Sequence, residues 1–353
     1  MSKLRFATIG TSGICERFCR ALALCDGAEL VGSYSRDVAR ARGFGEKFGA
    51  SRFHDSLDAL ADDPGIDAVY ISSPNALHAP QALRMIAAGK HVLVEKSFAS
   101  NEREARGVFD AARERGVVAL EATRNLHVPA FGTIEKIVSS ELGNVRLATL
   151  RFSKVTSRME RLRAGERLNI FDPRMAAGAL MDIGVYCMEP AIALFGRPQT
   201  VRALALTSRV PGCEPGDPCD TIDLAGEVLL GYGDKIVSLS YGKTSDDALP
   251  SQVEGESATL VWEPTSGPER LRLYEHEDKG QVFRVEGADY RPIEVEVREN
   301  DMVCEIEDFV RAVAGDERSL AACERFETVT LDSLAVMDEV RAQVGVRFPA
   351  DLG

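Results

Sequence analysis

The sequence predicts an α/β protein with a doubly wound parallel sheet in its N-terminal part and an α+β C-terminal part with a large open, mostly antiparallel sheet. Residues 1–122 alternate short apolar runs with segments of helical apolar spacing, the pattern of successive βαβ units. Residues 123–353 contain long runs of alternating polarity without intervening helices, which favours antiparallel pairing. A chain of 353 residues is long enough for two domains that each bury a core.

The elements of the first part follow one another regularly. Apolar runs predict strands at residues 4–9, 29–34, 67–71, 91–94 and 117–120. Helical spacing predicts helices at residues 14–24, 36–48, 76–88 and 101–115. Gly49, Gly89 and Gly116 directly follow three of these helices, as expected of C-capping glycines.

The second part opens with a predicted helix at residues 129–140. Strands are then expected at residues 145–155, 201–208, 223–230, 235–241, 258–262 and 271–275, and helical spacing returns at 303–313 and 324–343. The last strand of the first part is expected to end, and the second part to begin, near residues 121–125. We therefore place the domain boundary at 122/123.

Charge and hydropathy argue against a nucleic-acid-binding, a membrane-spanning and a secreted protein. The net charge of −13 argues against nucleic acid as the main partner, because phosphate binding needs a basic surface. No stretch of about 18 uncharged apolar residues is present, so we expect no membrane span. The chain enters a strand-like run at once, without the pattern of a signal peptide, and we expect a cytoplasmic protein.

Eight cysteines are too few for a disulfide scaffold in a chain of this length. Cys15, Cys19 and Cys25 fall in or next to one predicted helix, and we expect them to pack in the core, since free cysteine behaves as a small apolar residue. A disulfide between Cys213 and Cys219 is not expected in a reducing compartment. We expect no metal site.

The turn after the first strand reads Gly10-Thr11-Ser12-Gly13-Ile14. Small residues at this position let a helix N-terminus face the pyrophosphate of a dinucleotide. The pattern departs from the usual three-glycine fingerprint, and a tight strand-to-helix turn without a ligand is the alternative. Because the turn opens a βαβ unit, we favour cofactor binding.

The second strand ends in Ser35-Arg36-Asp37. A hydroxyl and a guanidinium at this position suit a 2′-phosphate, so NADP(H) is the favoured cofactor. NAD(H) stays open, because Asp37 is also placed to contact a ribose. Alternatively, Ser35 is the N-cap of the next helix.

Two further polar segments follow predicted strands at the same sheet edge. The first contains Ser73, Pro74, Asn75 and His78, and the second is Glu95-Lys96. Ligands bind at this edge in doubly wound folds. An ordinary polar loop and a surface ion pair are the alternative interpretations.

Taken together, these segments resemble the Gfo/Idh/MocA family of nicotinamide-dependent oxidoreductases. The resemblance covers essentially the whole chain, and its most specific blocks are Gly89 to Lys96 and Asp182 to Tyr186. It implies that residues 1–122 are an NAD(P)-binding Rossmann domain and residues 123–353 a substrate-binding and oligomerisation domain. A tyrosine at 186, where inositol-dehydrogenase-like members have histidine, resembles the branch of dihydrodiol dehydrogenases, xylose dehydrogenases and glucose–fructose oxidoreductase.

The resemblance also implies roles for single residues. Lys96 would lie beside the nicotinamide and the reacting carbon, preceded by Glu95, with Asn75 and His78 lining the nicotinamide side of the cleft. Asp182 matches an acidic residue on a helix of the substrate domain, and Tyr186 follows four residues later on the same helix face.

Simple electrostatics supports these roles. A phenol is a weak base at neutral pH, and a nearby ammonium favours its deprotonated form and stabilises a developing oxyanion. We therefore assign Tyr186 as proton donor and acceptor and Lys96 as its electrostatic partner. Asp182 would orient Lys96 or a substrate hydroxyl. A buried core tyrosine is the alternative for Tyr186.

The sequence departs from the family at two places. Ser97 replaces the family's proline after the lysine, and we expect a trans peptide bond there, because a cis bond before a residue other than proline costs about 2.5–4 kcal/mol. Arg124, Asn125 and His127 replace aromatic residues that line the substrate pocket of some members. They suggest a polar or anionic substrate, unless this segment only leads into a helix.

Arginines 158, 161, 163 and 167 form a cluster that we expect to be a solvated loop rather than a substrate clamp.

The leading hypothesis is therefore an NAD(P)-dependent dehydrogenase or reductase acting on a sugar or polyol. The alternatives are a dinucleotide-sensing regulator of the same fold without turnover, and a reductase of a non-sugar substrate, such as an imine or biliverdin-type reductase. We expect a homodimer or homotetramer that associates through one face of the C-terminal sheet.

Overall fold

The computed structural model describes residues 3–276 and 289–353, which form two sheets and the helices around them. The first sheet has six strands in the order β3-β2-β1-β4-β5-β6, all parallel. Its elements are β1 (Leu4–Ile9), α1 (Gly13–Leu22), β2 (Ala28–Tyr34), α2 (Val38–Gly45), β3 (Arg52–His54), α3 (Leu57–Ala61), β4 (Ala68–Ile71), α4 (His78–Ala87), β5 (His91–Glu95), α5 (Glu102–Arg115) and β6 (Ala119–Ala122). The predicted doubly wound parallel sheet is confirmed.

Most differences in this part concern element ends. Helix α2 begins at Val38, and its N-cap is Asp37 rather than Ser35, because the Asp37 carboxylate accepts hydrogen bonds from the backbone N–H of Ala39 and Arg40. Strand β3 and helix α3 were not predicted, since three and five residues are too few to show a period. The three expected C-capping glycines all have positive φ.

The second sheet has eight strands in the order β14-β13-β12-β11-β7-β10-β9-β8. Within the described ranges, its neighbours are antiparallel except for β7 and β10, so the predicted mostly antiparallel sheet is confirmed. The strands are β7 (Val145–Ser153), β8 (Thr200–Arg209), β9 (Thr221–Gly231), β10 (Ile236–Gly242), β11 (Ser251–Gly255), β12 (Ala258–Glu263), β13 (Arg270–Glu275) and β14 (Arg291–Ile293). Two short strands, β11 and β14, were missed.

The helices of this part are α6 (Arg124–His127), α7 (Pro129–Ser140), α8 (Met159–Arg163), α9 (Val185–Phe195), α10 (Met302–Val313) and α11 (Glu317–Val344). A single π-helical turn, Leu180–Gly184, leads directly into α9. Helix α7 has the predicted bounds, and α11 is longer than expected at its start. Prediction failed there because residues 317–323 show little apolar periodicity.

Within residues 3–276 and 289–353, the apolar core packs against one face of the second sheet. Its inner face carries buried apolar side chains, among them Val228, Leu230, Val237 and Leu239, and belongs to the same core as α9. The opposite face bears exposed leucine and isoleucine side chains. The sheet therefore separates a packed core from an uncovered apolar surface.

The C-terminal helices return to the first sheet. Phe309 of α10 packs 5.7 Å from Phe6 of β1 between ring centroids, and both rings are fully buried. Cys15, Cys19 and Cys25 lie in the same core, and all eight cysteines are free. The last helices, although they follow the second sheet in sequence, thus pack on the sheet of the first part. The 122/123 domain boundary stays a prediction.

Segment 173–195 is long and apolar enough to cross a membrane by length and composition. However, 72% of its most apolar window is buried inside the protein. This is the position of a core helix, and it includes the π-helical turn and α9.

Candidate active site

At the carboxyl edge of the first sheet, the turns after β1, β2 and β4 enclose a cavity of about 700 Å³. Seven of the residues predicted to bind a cofactor line it: Gly10, Thr11, Ser12, Ser35, Arg36, Ser73 and Pro74. The sheet order reverses between β1 and β4, which is where open α/β sheets bind ligands. Gly13 and Ile14 form the first turn of α1 and do not line this cavity.

The backbone at the start of α1 leaves room for a ligand. Gly10 has φ +121°, and a Cβ there would lie 2.5 Å from Ser72 Oγ, so only glycine fits the turn. Ser12 is the N-cap of α1, but its side chain makes no capping hydrogen bond. The first N–H groups of α1 are therefore left to a ligand such as a phosphate.

Three guanidinium groups line the same cavity. They belong to Arg36, Arg40 and Arg158, and no carboxylate is among the described residues around it. Arg40 Nε donates a hydrogen bond of 2.7 Å to Thr11 Oγ1, which joins the start of α2 to the turn after β1. This donor set fits the phosphate groups of a dinucleotide with a 2′-phosphate.

A second cluster lies where β5 meets the π-helical turn. Lys96 Nζ donates to Asp182 Oδ1 at 2.8 Å and to the Asp182 carbonyl at 2.7 Å. Lys243, directly after β10, donates to Asp182 Oδ2 at 2.5 Å. One carboxylate is thus shared between two ammonium groups that come from different sheets.

The protonation of this cluster follows from its charges. Burial alone lowers the pKa of Lys96, but the Asp182 carboxylate outweighs burial and raises it above its usual value. Burial opposes ionisation of Asp182, yet the two ammonium groups hold its pKa well below the usual range. For Lys243 burial prevails over the attraction of Asp182, and its pKa is lowered. Asp182 is therefore a carboxylate at neutral pH, and Lys96 is an ammonium.

Tyr186 joins this cluster, as predicted. Lys96 Nζ lies 4.8 Å from the centroid of the Tyr186 ring, and the guanidinium carbon of Arg124 lies 5.3 Å from it. Phe152 packs edge-on against the ring at 5.5 Å, and Tyr186 is buried. The ring is thus held between two cations and an aromatic wall.

The π-helical turn is anchored by Asp223 of β9. The Asp223 carboxylate accepts a hydrogen bond of 2.6 Å from the backbone N–H of Leu180. A Cβ on Gly178 would lie 2.1 Å from Asp223 Oδ1, and Gly178 has φ +126°, so glycine is required there. Burial raises the pKa of Asp223 to about 6.

The expected trans bond before Ser97 is wrong, because the Lys96–Ser97 peptide bond is cis. Both polar groups of Ser97 have partners in this conformation. Its hydroxyl donates to the Met181 carbonyl at 2.8 Å, and its own carbonyl lies 2.9 Å from His78 Nδ1. These contacts tie the lysine loop to the π-helical turn.

The side chains of three residues predicted to bind the cofactor make hydrogen bonds to other groups of the protein. His78 is fully buried and bridges the carbonyls of Ser97 and Ser73, at 2.9 and 2.7 Å, so it joins two loops instead of lining the cavity. Glu95 is buried and accepts a hydrogen bond from the Tyr70 hydroxyl. Asn75 Nδ2 donates to the Ala176 carbonyl at 2.9 Å.

Asn125 and His127, for which substrate contacts were predicted, are buried, and their substrate role stays a prediction. His127 Nδ1 lies 2.7 Å from Asp308 Oδ2 on α10, and its side chain is almost fully buried. Asn125 is fully buried, and its amide has no hydrogen-bond partner among the described residues. Arg124 pairs with Asp301 and, of the three, alone contacts Tyr186 within the described ranges.

Four residues of the site were not predicted from the sequence. Arg40 stands four residues after Arg36 on a predicted helix, and this same-face spacing was a usable signal. Arg158 was assigned to a solvated loop. Lys243 and Asp223 reach Asp182 and Leu180 only through tertiary contacts, which no local pattern reveals.

Comparisons with known proteins agree on one family. A family model described as "Oxidoreductase family, NAD-binding Rossmann fold" matches residues 4–123, and a GFO/IDH/MocA C-terminal domain model matches residues 133–261. The chain is 36% identical over 350 residues to scyllo-inositol 2-dehydrogenase (NADP(+)) IolU of Bacillus subtilis (strain 168), covering 99% of each chain. It is 29% identical over 355 residues to trans-1,2-dihydrobenzene-1,2-diol dehydrogenase of Sus scrofa, again covering 99% of each.

A solved structure has the same fold. KijD10, a 3-ketoreductase from Actinomadura kijaniata in complex with NADP and TDP-benzene, superposes with a TM-score of 0.78 at 23% identity. The match covers 99% of this chain and 100% of the other. At this identity the likeness concerns the fold alone.

The burial of His78 predicts a pH dependence of stability. Burial lowers the pKa of His78 to about 4 from a usual value near 6.5. Between these values the unfolded chain binds more protons, so this residue's contribution to stability falls as pH falls. In chemical denaturation, we expect the advantage of wild type over His78→Asn to shrink by up to about 3 kcal/mol between pH 7 and pH 4. An exposed control, His276→Asn, should track wild type, and a His78→Asn difference independent of pH would contradict this interpretation.

Proposed function

The chain belongs to the Gfo/Idh/MocA family of oxidoreductases, and we propose that it transfers a hydride between NADP(H) and a hydroxyl or carbonyl carbon of a sugar or cyclic polyol. The observation that carries the proposal is Lys96, whose ammonium contacts both the Asp182 carboxylate and the Tyr186 ring. The similarity to an NADP-dependent inositol dehydrogenase over almost the whole chain supports the substrate class.

The residues around the cavity would hold the dinucleotide by its phosphates. Ser35, Arg36 and Arg40 would supply a hydroxyl and two guanidinium groups for the 2′-phosphate, and the N-terminus of α1 would supply N–H groups for the pyrophosphate. When bound, the nicotinamide gives or accepts the hydride. The lack of a carboxylate on this wall favours NADP(H) over NAD(H), since an acid that would bind a free ribose hydroxyl is missing from the described lining.

Tyr186 would move the proton that accompanies the hydride. In the reducing direction, the phenol gives its proton to the substrate oxygen as the carbonyl becomes a hydroxyl. In the oxidising direction, the phenolate takes the hydroxyl proton as the hydride leaves the carbon. The Lys96 ammonium stabilises the negative charge on either oxygen.

Asp182 would keep Lys96 charged without neutralising the site. Because Lys243 occupies the other carboxylate oxygen, the cluster keeps an excess positive charge when both lysines are protonated. That excess favours an oxyanion over a neutral carbonyl. The Asp182 side chain is 44% exposed, so it is also within reach of a substrate hydroxyl.

A regulator without turnover is the competing function for this fold. Such a protein would have no need of a charged lysine against a tyrosine ring. The intact pair of Lys96 and Tyr186 favours the enzyme.

Removing the proton donor should abolish most of the turnover. With NADP(+) and a panel of scyllo-inositol, myo-inositol, D-xylose and D-glucose, we expect Tyr186→Phe to lower kcat roughly 10²–10⁴-fold because no group replaces the phenol. Lys96→Met should act similarly, and NADPH binding should survive in Tyr186→Phe. The matched control is Tyr232→Phe, since the Tyr232 hydroxyl donates to the Gly196 carbonyl outside the site. Turnover that survives both site substitutions would refute the mechanism, and NADPH binding without turnover of any substrate would favour a regulator.

Cofactor preference should depend on Arg36. Fluorescence titration should show tighter binding of NADPH than of NADH, because only NADPH offers a phosphate to this guanidinium. We expect Arg36→Gln to raise the Kd for NADPH roughly 10–100-fold, the worth of a charge-assisted hydrogen bond, with little change for NADH. Equal or tighter binding of NADH by wild type would defeat the assignment.

The outer face of the second sheet would join two copies of this chain. Leu204 and Leu206 of β8 are 80% and 67% exposed, and the strand register places Leu229, Ile236 and Leu147 on the same face. Glu227 and Arg202 lie on this face as well, so the surface is a set of exposed apolar side chains among polar ones, and exposed apolar side chains grouped in this way are typical of an association site. A second copy fits it because the same apolar face is available on both partners.

The oligomeric state tests this surface. We expect light scattering at micromolar concentration to give the mass of a dimer or tetramer. A double substitution, Leu204→Glu with Leu206→Glu, should shift the mass towards the monomer, because it places charges in an apolar contact, while circular dichroism stays unchanged. Leu24→Glu is the control, an exposed leucine at the end of α1. A monomeric wild type would exclude the proposed interface.

A further inference from the structure

The segment that follows β7 reaches the nucleotide cavity from the second sheet. Arg158, at the N-terminal end of α8, lines the cavity together with Asn169 and Met175. It also lines an adjoining cavity of about 490 Å³, as do Arg161 and Arg167. Of the arginine cluster that sequence patterns assigned to a solvated loop, Arg158 is the member that lines both cavities.

Arg158 differs from its neighbours in its charge partners. Arg161 pairs with Glu166 at 2.7 Å, and Arg167 pairs with Asp172 at 2.6 Å. Across residues 3–276 and 289–353, the Arg158 guanidinium has neither an ion pair nor a hydrogen bond. A guanidinium that lines an acid-free cavity and lacks a carboxylate is available to an anion.

The two cavities indicate which anion this would be. Ser12, Ser72 and Ser73 line both cavities, as Arg158 does, whereas Arg36 and Arg40 line only the larger one. Arg158 thus lines the smaller cavity together with the start of α1, the part of such a fold that faces a pyrophosphate. Arg36 and Arg40, which do not line the smaller cavity, are left for the 2′-phosphate.

We propose that Arg158 binds the pyrophosphate of the dinucleotide, and that the cofactor is thereby held by residues of both sheets. This inference rests on the proposed function, since it assumes that the cavity takes NADP(H). It assigns a division of labour: Arg36 distinguishes NADPH from NADH, whereas Arg158 contributes equally to both because both carry the pyrophosphate.

The test compares three variants in titrations of NADPH and NADH followed by cofactor fluorescence. We expect Arg158→Gln to raise both Kd values by a similar factor, about three- to thirtyfold, the worth of a charge-assisted hydrogen bond that is partly open to solvent. Its affinity should also depend less steeply on salt concentration than that of wild type. Arg36→Gln should affect NADPH alone. The matched control is Arg163→Gln, which removes an exposed arginine of the same helix that lines neither cavity.

The possible outcomes separate this inference from the proposed function. If Arg158→Gln leaves both Kd values unchanged, or raises only the KM of the polyol, Arg158 is not a pyrophosphate ligand although the enzyme mechanism stands. A loss confined to NADPH would move Arg158 to the 2′-phosphate and overturn the assignment. Partial recovery of both affinities in Arg158→Lys would support a role of the charge. If wild type binds neither nucleotide, the proposed function fails together with this inference.

Discussion

The sharing of the Asp182 carboxylate between Lys96 and Lys243 is the interaction on which the rest of the site depends. Both ammonium groups are largely buried, and a buried charge without a partner is costly. The ends of β5 and β10 must therefore meet at the π-helical turn that presents Asp182. Asp223 and the Ser97 hydroxyl, which hold this turn from two sides, serve that requirement.

The nucleotide cavity shows how weakly a chain's net charge constrains a local site. The protein carries a net charge of −13, yet the cavity is lined by three guanidinium groups and no acid among the described lining residues. The net negative charge argues against nucleic acid as a partner, because that partner needs an extended basic surface. The argument does not apply to a small anion site. A compact anion site requires a few arginines that are kept apart from carboxylates.

Local patterns predicted much of this molecule. Except for the short elements β3, α3, β11 and β14, the strands and helices of the first part and the strands of the second could be read from apolar periodicity, because each period reflects which face an element buries. Gly10, Arg36 and Lys96 could be singled out because they stand at strand ends, whereas Asp182 and Tyr186 were identified through the family resemblance. The structure brings Lys96, Asp182 and Tyr186 together.

The remaining features depend on contacts between distant segments. Lys243 lies 61 residues from Asp182 in sequence, and Asp223 lies 43 residues from Leu180. In the sequence, a histidine at position 127 fits a binding site and a buried hydrogen-bonded pair equally well. Only the structure shows that its side chain contacts Asp308. The hydroxyl and the carbonyl of Ser97 likewise have their partners in two other elements.

Strands β9 and β10 connect the outer surface of the protein to its chemistry. Strand β9 carries Asp223, which anchors the π-helical turn, and further along it carries the exposed Leu229. Strand β10 begins with the exposed Ile236 and leads into Lys243. In the proposed dimer, packing against the outer face would therefore stiffen the two strands that locate the shared carboxylate. The proposed interface and the proposed active site would then depend on the same pair of strands.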